Sequence, residues 1–141
     1  MTYLVHAPVL GELTRRTPNA HVVAWLRAHE ADIVVEPLAL GELQHGILLR
    51  PQGARRRALE RWFAGGASRL PVVPIDAGTT AAWAALLARL RRRGVSMAVT
   101  DSLVAATALA HGFTVVTRST ATFEEAGVPV VDPYEEPASL T

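Results

Sequence analysis

Asp101, Glu42 and His6 are the residues whose types and settings point most directly to chemistry. Asp101 stands in Thr100-Asp101-Ser102-Leu103-Val104-Ala105-Ala106-Thr107-Ala108-Leu109-Ala110-His111-Gly112. The small residues read as a helix that Asp101 begins, with Thr100 as a candidate cap and Gly112 as the stop. A carboxylate so placed can serve the helix start, a metal ion, or both. Glu42 lies in Leu40-Gly41-Glu42-Leu43-Gln44-His45-Gly46-Ile47. Apolar residues flank it at helical spacing, and Gly41 and Gly46 weaken the helix unless close packing compensates. It reads either as an acid facing a crevice or as an ordinary boundary glutamate. His6 closes the apolar run Tyr3-Leu4-Val5. A histidine there is a hydrogen-bonded boundary residue, a metal ligand or a general base.

Other chemistries are poorly provided for. The chain has no cysteine, which removes thiolate zinc sites, disulfides and cysteine nucleophiles and suits a reducing cytoplasm. His21, His29, His45 and His111 have no zinc-like spacing, and neither a glycine-rich phosphate loop nor a Gly-x-Ser-x-Gly elbow occurs. No apolar run approaches the roughly 20 residues of a membrane span, and the N-terminus does not read as a secretory signal. Net charge is +1, but it is unevenly spread, and all 14 basic residues are arginine. Six lie between Arg50 and Arg69 against Glu60 alone, and four more lie between Arg89 and Arg93. The segment from Ala121 onward holds five acids and no base. Guanidinium groups suit bidentate contact with phosphate, so the clusters suggest an anionic partner as well as solvated helix faces.

Alternating strands and helices must position these residues. Strands are expected at 3–6, 33–35, 70–75, 113–116 and 128–131. Helices are expected from Pro8 to about Arg15, His21 to His29 with Asn19 as cap, Pro37 to Leu49, Arg55 to Ala64, Thr80 to Arg93, from Asp101, and near Phe123 to Ala126. This order implies α/β architecture with a mainly parallel sheet. One domain is expected over residues 1–133, followed by a polar tail over 134–141. Ligands of such sheets gather beyond the carboxyl ends of the strands, where His6-Ala7, Glu36, Asp76 and Thr117-Arg118-Ser119 would stand.

Five segments resemble the PIN-domain ribonucleases, specifically VapC-type toxins of toxin–antitoxin modules. Leu4-Val5-His6-Ala7-Pro8-Val9-Leu10-Gly11-Glu12-Leu13 resembles that family's Leu-Leu-Asp-Thr-Asn-Val-Leu-Ser-Glu-Leu. Pro18 to Leu26 resembles Pro-Asn-x-x-Val-x-x-Trp-Leu, and Glu42 to Ile47 resembles Glu-Leu-x-x-Gly-Ile. The Asp101 stretch is similar to Asp-x-Leu-Ile-Ala-Ala-Thr-Ala, and Thr117 to Phe123 to Thr-Arg-Asn-Thr-x-Asp-Phe.

The resemblance implies a three-layer PIN-like fold and a cytoplasmic endoribonuclease using Mg²⁺ or Mn²⁺. It also implies a homodimer neutralised by a cognate antitoxin. Glu42 and Asp101 carry over as catalytic and metal-holding acids, with His6 as a third ligand. Arg50, Arg55, Arg118 and Ser119 are candidate contacts to RNA phosphates. Helices carrying Trp25 and Trp62 would supply partner surfaces or pack in the core. The chain departs from the pattern where His6, Ala7 and Pro8 replace aspartate, threonine and asparagine, where Ser119 replaces asparagine or aspartate, and where Thr122 replaces aspartate. A site with fewer carboxylates holds an ion more weakly, and an imidazole would favour Mn²⁺. Two readings follow: a weakened metal-dependent ribonuclease, or an inactive PIN protein that binds RNA or an antitoxin without cleavage.

Overall fold

A computed structural model describes residues 1–135 of the chain. Four strands, β1 (Tyr3–Val5), β2 (Ile33–Val34), β3 (Thr114–Val116) and β4 (Val130–Val131), form one sheet in the order β2-β1-β3-β4. All three pairings are parallel. Helices α1 (Ala7–Glu12), α2 (Ala20–Ala28), α3 (Pro37–Leu48), α4 (Ala54–Gly65), α5 (Ala77–Arg92), α6 (Val99–His111) and α7 (Thr120–Glu125) connect and flank it.

Two apolar clusters lie on opposite faces, giving three layers. Val5, Val35 and Val116 pack with Val9, Leu10, Val22, Leu26 and Leu43 from α1 to α3. Leu4 and Val115 pack with Leu86, Leu90, Val104, Ala105, Ala108 and Phe123 from α5 to α7. The alternation follows from the two-residue period of a strand. It places His6, two residues after Leu4, on the face covered by α6. No helix among the described residues is long and apolar enough to cross a membrane.

Helix starts follow local chemistry in two cases. The Asn19 side chain accepts hydrogen bonds from the backbone N–H groups of His21 and Val22, starting α2. Asp76 and Thr79 form a reciprocal capping box that starts α5 earlier than the expected Thr80. Gly112 ends α6 in the left-handed region, at φ 72°.

Several expectations need correction. Residues 70–75 form no strand; Val35 and Val72 make an isolated parallel bridge instead. Pro71 and Pro74 have no N–H to donate, so no longer ladder can grow. Helix α1 stops at Glu12 rather than near Arg15. Helix α6 starts at Val99 with Ala98 as its cap residue, so Asp101 is a first-turn acid and Thr100 is no cap. Strand β4 is limited to Val130–Val131. The expected polar tail, 134–141, follows buried Pro133 and begins with Tyr134, which packs against the first core. Residues 136–141 of that expected tail lie outside the described residues.

Candidate functional site

The sheet reverses its order at β1, with β2 on one side and β3 on the other. Such a switch point opens a crevice at the carboxyl edge. Continuing the registers, two residues past Leu4↔Val34 and one past Val5↔Val116, sets Glu36, His6 and Thr117 abreast there. The backbone N–H of His6 still bonds the Val116 carbonyl at 3.0 Å, which keeps it in line. Helix α6 lies over this row and begins beside it.

His6 is buried and held from both sides. Its Nε2 lies 2.8 Å from Asp101 Oδ1, and its Nδ1 lies 2.9 Å from Thr117 Oγ1. A carboxylate only accepts, so Nε2 carries the proton and donates to Asp101. Thr117 Oγ1 also accepts the Ser119 backbone N–H at 2.9 Å, which orients the hydroxyl. The Phe123 ring meets the imidazole edge-on at 5.1 Å. The sequence order His6, Asp101, Thr117 therefore becomes one chain of hydrogen bonds across the switch point.

The site includes a fourth group. Glu36 follows β2 and is fully buried. Its Oε2 lies 2.8 Å from Thr107 Oγ1, and its Oε1 has no hydrogen-bond partner in the structure. Burial pushes its carboxyl up to about 7; the Thr107 hydrogen bond opposes the rise and the Glu42 charge adds to it. Its position just past a strand marked it as an edge residue. Nothing local marked it as buried under α6.

Glu42 is exposed and lines a crevice of about 300 Å³ with Ala7, Pro8, Thr14 and Arg50. Arg50 and Arg55 both donate to the Thr14 carbonyl, at 3.4 and 2.6 Å. Two of the expected phosphate contacts thus converge beside Glu42. Arg118 stands apart from them, its guanidinium 4.5 Å above the Tyr134 ring. Ser119 is exposed and precedes α7. Tyr134 in turn hydrogen-bonds buried Glu12. Burial alone would raise the Glu12 carboxyl. Bonds from the Asn19 N–H and the Tyr134 hydroxyl, with the Arg15 charge, outweigh it and hold the group below its usual range.

Asp76 lies elsewhere. It caps α5 and feels the charge of His111 at the last residue of α6, at the opposite end of that helix from Asp101. The bond to the Thr79 N–H, then that to its hydroxyl, holds its carboxyl low.

These residues do not make a carboxylate cage for a divalent ion. Both ring nitrogens of His6 are engaged, and so is Asp101 Oδ1. Glu36 is turned to Thr107. Among the described residues, no three His, Asp or Glu side chains come together in a way that could hold a metal. Ser119 and Thr122 offer only neutral hydroxyls where the resemblance has asparagine or aspartate at the first position and aspartate at the second.

Comparison with known proteins agrees with this architecture. The model of the PIN domain family matches residues 3–128. Plasmid stability protein StbB of Pseudomonas syringae pv. tomato is 38% identical, over 94% of this chain and 98% of its own. VapC ribonuclease Y4jK of Sinorhizobium fredii is 33% identical, over 90% of this chain and 94% of its own. Among solved structures, FitAcB from Neisseria gonorrhoeae aligns with a TM-score of 0.86 at 30% identity, covering 96% of this chain and 100% of that one. The three-layer fold and the sequence match across both cores agree: the chain belongs to the PIN-domain family, in its VapC-type branch.

Proposed function

We propose that the chain is the toxin of a toxin–antitoxin module, that RNA is its substrate class, and that it holds RNA more readily than it cuts it. The observation that carries this reading is the crevice between α1 and α3. It sets Arg50 beside Glu42 and next to Ala7 and Pro8, where α1 begins just past β1. RNA phosphates suit the guanidinium groups of Arg50 and Arg55, and a further phosphate suits Arg118. Solved relatives support the module: one is FitAB bound to a DNA fragment, at 29% identity and a TM-score of 0.87. A groove of about 410 Å³, lined by Leu10, Leu13, Leu26, Trp62 and Leu70 among others, suits an apolar antitoxin segment. Exposed Leu48 and Leu49 at the end of α3 suit the homodimer.

Weak cleavage follows from the chemistry of the site. A bound divalent ion would activate the attacking water and offset charge on the scissile phosphate. The residues of this chain leave little for that work: His6 donates to Asp101, Thr117 fixes His6, and Glu36 is buried against α6. The remaining reading is slow, ion-dependent cleavage. It is favoured by Glu42, whose exposed carboxylate takes no hydrogen bond among the described residues.

RNA retention and cleavage, measured with Mg²⁺ and with Mn²⁺, separate the readings. The arms are wild type, Asp101→Ala, and the His6→Asp, Thr122→Asp double variant. Wild type is expected to shift RNA with little product, and the double variant to cut faster. If wild type cuts as fast as the double variant and Asp101→Ala abolishes it, the ribonuclease reading replaces ours. Wild type that neither binds nor cuts RNA would sink both.

A further inference from the structure

We infer that His6 takes the place of a divalent ion as the group that holds and orients Asp101, so the wild-type chain keeps no divalent ion at this edge. The inference goes beyond the RNA reading and can be tested without RNA. It starts from hydrogen-bond accounting. Nε2 spends its proton on Asp101 Oδ1 at 2.8 Å. An ion at that nitrogen needs its lone pair, and so must displace the proton and the Asp101 bond together. Turning the ring away is opposed on its other side. Nδ1 faces Thr117 Oγ1 at 2.9 Å, and the Ser119 N–H fixes that hydroxyl. The ring is 7% exposed and packs against fully buried Phe123. Any swing must therefore disturb the second core.

No other carboxylate is placed to rebuild the cage. Glu36, abreast of His6, points one oxygen at Thr107 and is closed off from solvent. Glu124 and Glu125 follow the Thr122 position but are exposed on α7. Glu125 bonds the Arg93 guanidinium at 2.7 Å. Ion affinity tracks the number of charged ligands and the freedom of the site to close on the ion. Asp101, already bonded, and Glu42, on the separate crevice between α1 and α3, fall short on both counts.

The test is Mn²⁺ binding, followed by the loss of free-ion electron paramagnetic resonance signal, at neutral pH and fixed ionic strength. Wild type, His6→Asp and His6→Asn are compared, with circular dichroism reporting whether each is folded. His6→Asp restores a carboxylate; His6→Asn only releases Asp101. Wild type is expected to show no saturable binding. His6→Asp should bind at least about tenfold more tightly than wild type, and Mn²⁺ should raise its thermal midpoint while leaving that of wild type unchanged. If His6→Asp does not fold, a smaller gain in folded His6→Asn supports the proposal. Saturable binding by wild type that Asp101→Asn removes overturns it. So does the absence of any gain in whichever variants fold, because His6 would then not be what keeps the ion out.

Discussion

Replacing Glu36 by glutamine should stabilise the protein at neutral and alkaline pH. The reason lies in how one proton is shared. Thr107 Oγ1 stands 2.8 Å from Glu36 Oε2 and 2.9 Å from the Leu103 carbonyl. One hydroxyl proton cannot serve two acceptors. If Glu36 is protonated, it donates to Thr107, and Thr107 donates to Leu103, so both bonds are made. If Glu36 is ionised, a fully buried charge keeps one oxygen unpartnered and competes for the Thr107 proton. Both considerations agree with a carboxyl moved from 4.5 to about 7. A raised acid gives stability that is fully present below the unfolded value and is lost as pH rises through the folded one. At about 1.36 kcal/mol per unit, the loss between pH 4.5 and 7 is about 3 kcal/mol. Glutamine mimics the protonated acid, with its amide donating to Thr107, and it does not titrate. Urea unfolding of both proteins at pH 4.5, 6, 7 and 8 measures the difference. The two should be nearly equal at pH 4.5, and the variant should gain about 3 kcal/mol relative to wild type by pH 8. Parallel stability profiles would refute the reasoning, because Glu36 would then titrate alike in the folded and unfolded chain.

Other regions give independent tests. Tyr134 hydrogen-bonds Glu12, and burial, followed by that bond, pushes its phenol up to about 12. Tyr134→Phe should remove a phenolate absorbance step near pH 12 from an alkaline titration, and should cost about 1 kcal/mol in urea unfolding. Glu12→Ala should cost about 2 kcal/mol at pH 7, since it strips the Asn19 N–H and the Tyr134 hydroxyl of their acceptor. Because the Glu12 carboxyl is held low, its contribution is present above the unfolded value and fades as pH falls through the folded one; the wild-type advantage should shrink in acid. Trp83→Phe removes the 2.9 Å bond from the indole N–H to Ser102 Oγ that ties α5 to α6, and should lower stability by about 1 kcal/mol without changing RNA retention.

The regular parts of the fold were legible because their signals are local. Asn19 caps α2 as its residue type suggests, and the alternation of strands and helices implied the parallel sheet. No strand forms over 70–75 despite its apolar residues, because Pro71 and Pro74 cannot join a ladder. The start of α5 was missed because Asp76 and Thr79 act as a pair, and only their reciprocal bonding reveals the cap. Asp101, Glu42 and His6 were grouped in one site only through the family resemblance; no local signal told which of them touch. Asp101 and His6 meet through a bond between residues 95 positions apart, while Glu42 opens onto a crevice toward α1. Glu36 was placed at the carboxyl edge, yet its burial depends on the packing of α6, which no neighbouring residue announces.

The most direct test of an RNA site that works with His6 in place of an ion is the binding of a labelled single-stranded RNA, read by fluorescence anisotropy at constant ionic strength. Wild type is expected to bind equally well with excess EDTA and with Mg²⁺, and to lose affinity when Arg50 and Arg55 are both changed to alanine. Binding that EDTA abolishes and Mg²⁺ restores, with the arginine substitutions having no effect, would contradict it.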